Sequence, residues 1–322
     1  MRVPWKFIVA LPCGLLLAIG FFIGLLHTQL GVPTESSRWT YEIIQKKRGI
    51  ADATPGPRLI IIGGSNGFFG IDARVIEEQT GVRTVNFSNH AGLGLDYILN
   101  LSEKTGRPGD TILLSLEYEF YGVGFNRDIY ADYILSRDPD YFRQMSWWET
   151  INMATRIPFT RIQKGWRIRH TPEKVRDHAP YADSLNSHGD EIGNTVANRP
   201  ATAKDLQFTA EPLLKGLPSD RTPGFASLRK FLAWAKANHI TVLATFPNIV
   251  YHPEYDQPPA RQAIQTITDF YRAEGVPVVG TAREVMLPVD QFFNTYYHLT
   301  DEAALARTQR LVPELRPYLP TK

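Results

Sequence analysis

Two residues of this sequence combine a reactive side chain with a local setting that could make it work. Ser65 lies in LIIIGGSNGFFGID, between glycines and directly after an isoleucine-rich run, and His298 lies in FFNTYYHLTDEAA near the carboxyl end. A serine hydroxyl is a poor nucleophile until a base takes its proton, and an imidazole is the side chain best matched to that task near neutral pH. A turn from a buried strand into a helix exposes such a serine at a sheet edge, where backbone N–H groups can stabilise a developing oxyanion. The chemistry these two residues would support is acyl transfer or ester cleavage. His298 also has a purely structural reading: Thr300 suits a helix N-cap and Asp301 and Glu302 suit a first turn, so the ring could simply pack beside a helix start.

For the two to meet, the elements between them must bring strand ends to one rim. Arg58 to Ile62 reads as a buried strand, Ile71 to Thr80 as a helix, Arg83 to Phe87 as a second strand, Leu93 to Lys104 as a helix and Thr111 to Leu116 as a third strand. The alternation resumes with a helix over Phe225 to Asn238, a strand over Ile240 to Phe246, a helix over Ala260 to Glu274 and a short strand over Val276 to Val279. This predicts an α/β fold with a parallel sheet of about five strands, and ligands then belong at the carboxyl ends of those strands. Residues 119–223 break the pattern and read as an inserted cap region. That stretch contains Trp147, Trp148 and the run RIPFTRIQKGWRIRH, whose Arg161, Lys164, Trp166, Arg167 and Arg169 could meet sugar rings and an anionic polymer, could lie at a membrane surface, or could form a helix with its aromatics packed on the sheet.

From Phe7 to Leu26 no charge interrupts about 20 residues, the length a helix needs to cross a bilayer. Arg2 and Lys6 precede the run, so the positive-inside bias places the N-terminus in the cytoplasm and the rest of the chain outside it or in the periplasm, on a single-pass inner-membrane protein. The expected organisation is an anchor over 1–30, a linker over 31–57 that includes an amphipathic piece near Trp39 to Lys47, and one domain over 58–322. With 43% hydrophobic residues and a formal net charge of +2, the chain is long enough for a large core and too weakly basic to imply nucleic acid. Its single cysteine, Cys13, lies in the apolar run, which excludes internal disulfides and Cys-based metal sites. No H-E-x-x-H or P-loop ending is present, so neither a metal nor another cofactor is expected.

Four blocks in order, GGSNGFFGID, NFSNHAGLG, SLEYEF and FFNTYYHLT, resemble those of the SGNH hydrolase superfamily. More narrowly they resemble its membrane-anchored branch, which includes the teichoic-acid D-alanine transfer protein and alginate-type O-acetylation proteins. The resemblance covers roughly residues 58–118 and 240–312. It implies a flavodoxin-like sheet, Ser65 as nucleophile, His298 as base, and oxyanion or substrate contacts at Gly64, Asn66, Asn89 and Gly92. Where the family carries an aspartate three residues before the histidine, this chain has Thr295; Asn294 beside it could hold the ring, or Asp290 or Glu117 could approach from another loop. Glu117 stands where a third-block asparagine is usual, either as a site carboxylate or as a strand-end charge paired with an arginine of the insertion. His90 could touch substrate or be an ordinary loop histidine, and the same alternatives apply to His252. The implied activity is a serine O-acyltransferase or esterase acting on a cell-envelope or secreted polysaccharide or an acylated carrier, with a membrane-bound O-acyltransferase or polysaccharide synthase as partner. The alternative is a subunit of such an assembly that keeps the fold without the activity.

Overall fold

The computed structural model describes residues 5–122, 128–170, 180–201, 208–217 and 219–320. Its elements run in chain order as α1 (Trp5–His27), α2 (Glu35–Ala53), β1 (Leu59–Gly63), α3 (Ser65–Gly70), α4 (Ala73–Thr80), β2 (Thr84–Asn86), α5 (Leu95–Thr105) and β3 (Thr111–Ser115). Then follow α6 (Asp128–Arg137), α7 (Pro139–Gln144), α8 (Trp147–Ala154), α9 (Phe159–His170), α10 (Pro180–Asp183) and α11 (Pro223–Ala237). The chain ends with β4 (Thr241–Thr245), β5 (Ile249–Val250), α12 (Pro258–Ala273), β6 (Val278–Val279), β7 (Met286–Leu287) and α13 (Asp301–Leu315).

Contacts divide the chain into two compact units, one of residues 1–41 and 126–178, the other of 42–125 and 179–322. The segment 31–57, with its expected amphipathic piece near Trp39 to Lys47, holds α2. Ile43, Ile44, Lys47 and Ala51 of α2 recur at helical spacing and are buried. The expected insertion is also divided, since 126–178 belongs with α1 and 179–223 with the sheet; parts of it fall outside the described residues.

In the second unit five parallel strands pair in the order β2-β1-β3-β4-β6. Because side chains alternate along a strand, Leu59, Ile61, Leu113 and Leu243 share one face, where they meet Ile76 of α4 and Leu311, Val312 and Leu315 of α13. The opposite face carries Ile60, Ile62, Ile112 and Leu114, all buried, which is why the strands read as unbroken apolar runs. The strands expected from sequence are present with shorter ends, β6 being only Val278–Val279. A separate two-stranded pair, β5 with β7, was not anticipated, because two-residue strands give no alternation to read.

In the first unit α1 is one helix long and apolar enough to cross a membrane.

Candidate functional site

All the residues singled out for chemistry belong to the second unit. Ser65 is the first residue of α3, directly beyond the β1 terminus, and is half-buried. The order of the strands reverses between β1 and β3, and such a reversal opens a crevice at the carboxyl edge of a parallel sheet. Ser65 follows one of these strands and Glu117 the other.

His298 comes to the same helix. Its ring lies flat on Phe69, with centroids 4.1 Å apart and planes 5° from parallel. Phe69 is one turn beyond Ser65, and residues four apart share a helix face. The loop is fixed on both sides of the histidine: Phe293 N–H donates to the His298 carbonyl at 2.7 Å, and Thr300 caps α13 by accepting from Ala303 N–H. The structural role foreseen for Thr300 is thus fulfilled, and it carries His298 to α3. Asn194 adds a tie by donating to the carbonyl of Leu299 at 2.9 Å and to that of Phe69 at 3.4 Å.

Nδ1 of His298 donates to Asn294 Oδ1 at 2.7 Å. Among the neighbours considered from sequence, Asn294 is the one within hydrogen-bond distance of the ring. Thr295 instead accepts from Tyr297 N–H. With Nδ1 protonated, the Nε2 lone pair remains for a proton donor. Burial lowers the His298 pKa to about 3, with a further contribution from His90. Asn294 supplies orientation without the negative charge that would stabilise an imidazolium.

Glu117 meets the turn that carries Ser65. It is fully buried and accepts from Gly64 N–H at 3.0 Å and Asn66 N–H at 2.9 Å, so it caps α3 from below. Gly64 has no side chain to cap with, and a Cβ there would fall 2.3 Å from the carboxylate. Burial raises the Glu117 pKa, and the amide hydrogen bonds oppose the rise. The Asn66 side chain is also engaged, donating to the Ser115 carbonyl at 2.8 Å and accepting from the Ser115 hydroxyl at 2.7 Å. Gly64 and Asn66 therefore spend these donors inside the protein, and the Ser65 amide lies between them.

The second block is likewise internally bonded. Gly92 N–H donates to His90 Nδ1 at 2.8 Å, so His90 acts as a cap for its own loop. Asn89 donates from its backbone to the Gly63 carbonyl and from Nδ2 to the Phe87 carbonyl, leaving a buried Oδ1 without a partner among the described residues. In this arrangement Asn89 presents an unmet acceptor. His252 accepts from Glu254 N–H and caps a short turn.

No family model and no curated protein sequence matches the chain. Among the described residues, no three His, Cys, Asp or Glu side chains gather to hold a metal.

Two buried cations packed around these elements were not anticipated from sequence. Lys47 of α2 is fully buried, donates to the Ser88 carbonyl at 2.6 Å and lies 3.8 Å over the Phe68 ring. Burial pulls its pKa down to about 7 against the opposing pull of Asp190 and Glu191. Arg307 of α13 donates to Ser115 Oγ, to Asn248 Oδ1 and to the carbonyls of Gly70 and Phe246, and burial lowers it to about 9. It braces the end of α3 against β3. A signal existed for Arg307, because it falls four residues from Ala303 and from Leu311 on the apolar stripe of its helix.

Proposed function

We propose that this chain is a membrane-anchored, extracytoplasmic serine O-acyltransferase or esterase that modifies a cell-envelope or secreted polysaccharide, in the manner of the SGNH hydrolase superfamily. The observation that carries the reading is the stack of His298 on Phe69, one turn from Ser65, with Asn294 fixing the ring tautomer. The strand order β2-β1-β3-β4-β6 supports it as the order of a flavodoxin-like sheet. The apolar α1, preceded by Arg2 and Lys6, supports an N-terminus in the cytoplasm and a globular part outside it.

In this mechanism Ser65 Oγ attacks the acyl carbonyl while Nε2 of His298 accepts the hydroxyl proton. The leaving alcohol departs with that proton, and the acyl group remains as an ester on Ser65. An acceptor hydroxyl of the polymer, or water, then gives its proton to Nε2 and attacks the ester, and Nε2 passes that proton to the departing Ser65 Oγ, restoring the serine and the neutral ring. The Ser65 N–H is the amide best placed for the oxyanion. An activated acyl group must reach this side of the membrane, so a membrane-bound O-acyltransferase or a polysaccharide synthase is the expected partner.

One observation favours a subunit that keeps the fold without the activity: the His298 pKa of about 3, with no carboxylate on the ring, makes protonation of Nε2 costly. The experiment that decides is fluorophosphonate labelling of the full chain in membranes, joined to polymer acylation in cells. Labelling at Ser65, and loss of both labelling and acylation in a folded Ser65→Ala variant, is the expected result. Full acylation with Ser65→Ala rejects the mechanism in favour of the inactive subunit.

A further inference from the structure

The first unit carries apolar surface that the site does not use. Trp147 and Trp148 of α8 stack with centroids 3.9 Å apart, yet they are 62% and 64% exposed. Phe159 and Trp166 of α9 are exposed as well. A surface with this much exposed aromatic area usually has an apolar partner.

Its position along α1 indicates what that partner is. An apolar groove between the two helices is lined by Ala18, Ile19, Phe22 and Ile23 of α1 and by Ile151 and Ala154 of α8. These α1 residues precede the helix end at His27 by a distance of about 6–14 Å along the axis, at 1.5 Å per residue. With α1 as a membrane span, α8 is then level with acyl chains, in a hydrocarbon layer about 30 Å thick. Trp166 marks the boundary, because its Nε1 donates at 3.3 Å to Thr28, the residue after α1. Indoles concentrate at that depth.

The height of α9 is fixed by a buried network. Arg161 turns inward to Asp132, to Gln29 Oε1 at 3.2 Å and to the Val32 carbonyl at 3.1 Å. Asp132 also accepts from Thr34 and from Ser36. The helix is thereby clamped to the residues that leave α1. Arg167 and Arg169 stay exposed on α9 and Lys164 half-buried, while Glu149, the one acidic residue of α8, is tied back to Ser146 N–H at 2.7 Å.

We infer that α8 and α9 form a foot resting in the leaflet at the carboxyl end of α1. The Trp147–Trp148 pair enters the acyl-chain layer, and Lys164, Arg167 and Arg169 meet anionic lipid phosphates. This rests on α1 being a span and is independent of acyl transfer.

The test uses the full chain in nanodiscs of phosphatidylcholine and phosphatidylglycerol. A nitroxide on Trp148→Cys, in a Cys13→Ala background, is compared for access by oxygen and by a nickel chelate. The native Cys13 serves as the span reference and Lys236→Cys as the water-facing reference. The Trp148 position should resemble Cys13, open to oxygen and closed to nickel. Nickel access like that at Lys236 overturns the foot, and so does shielding from both reagents, which would put a second copy of the chain there. Nickel access at Cys13 itself removes the premise. Spin-labelled phosphatidylglycerol should be immobilised less by the Lys164→Gln, Arg167→Gln, Arg169→Gln variant; an unchanged fraction overturns the headgroup contact.

Discussion

The two edges of the central sheet treat buried polar groups in opposite ways. At the amino edge Arg58 and Asp110 are fully buried and fully paired. Asp110 accepts from Arg58 N–H, Nε and Nη2 and from Arg107 N–H, and the remaining guanidinium donors reach the carbonyls of Ala51 and Thr105. At the carboxyl edge Glu117 is satisfied, but Asn89 Oδ1 and the Tyr118 hydroxyl are buried without partners among the described residues, and His298 is half-buried beside an uncharged amide. A buried polar atom without a partner costs stability, so leaving several at one edge is consistent with a site that a ligand completes. The amino edge fastens the strands together, and the carboxyl edge keeps unspent capacity.

The largest effect that would sharpen this contrast is at the closed edge. Asp110→Ala leaves Arg58 buried and unpaired, and should cost about 3–5 kcal/mol in denaturant unfolding; a loss below 1 kcal/mol would break the comparison. Glu117→Ala frees the amides of Gly64 and Asn66 and should cost about 1–3 kcal/mol, with loss of Ser65 labelling as α3 loosens. If labelling persists unchanged, Glu117 does not hold the turn.

A third prediction concerns pH. His298 has a pKa of about 3 in the folded chain against 6.5 for a free ring, so between these values the unfolded state binds one more proton. The stability attributable to this ring is complete above about pH 6.5 and is lost as pH falls toward 3, with a slope of at most about 1.4 kcal/mol per pH unit. His298→Phe should flatten unfolding free energy against pH in that window, and an unaltered slope would show that the ring is not desolvated. The smallest change adds the missing charge. Asn294→Asp should raise the His298 pKa and, in the catalytic reading, speed ester turnover or probe labelling on the order of tenfold, about 1.4 kcal/mol. A slower reaction would mean that the amide, and not a carboxylate, is what this site requires.

The strands and the long helices were legible because burial on both faces leaves a mark in the sequence. Ile60, Ile61 and Ile62 can be read as a strand without knowing their neighbours, and α11 and α12 by their spacing. The pairing of Asn294 with His298 was one of several readings left open, because a loop hydrogen bond has no periodicity. The roles of Glu117, Lys47 and α2 were not legible, since a charged residue next to a strand end or on an amphipathic piece normally faces water.

What the sequence determined by itself is therefore the inventory: an apolar helix of spanning length, five strands with buried faces, and a serine and a histidine each placed at the end of a regular element. Tertiary structure alone decided which donors remain for a ligand. Backbone amides look identical in every sequence, and whether those of Gly64, Asn66 and Gly92 are free depends on Glu117 and His90 folding onto them.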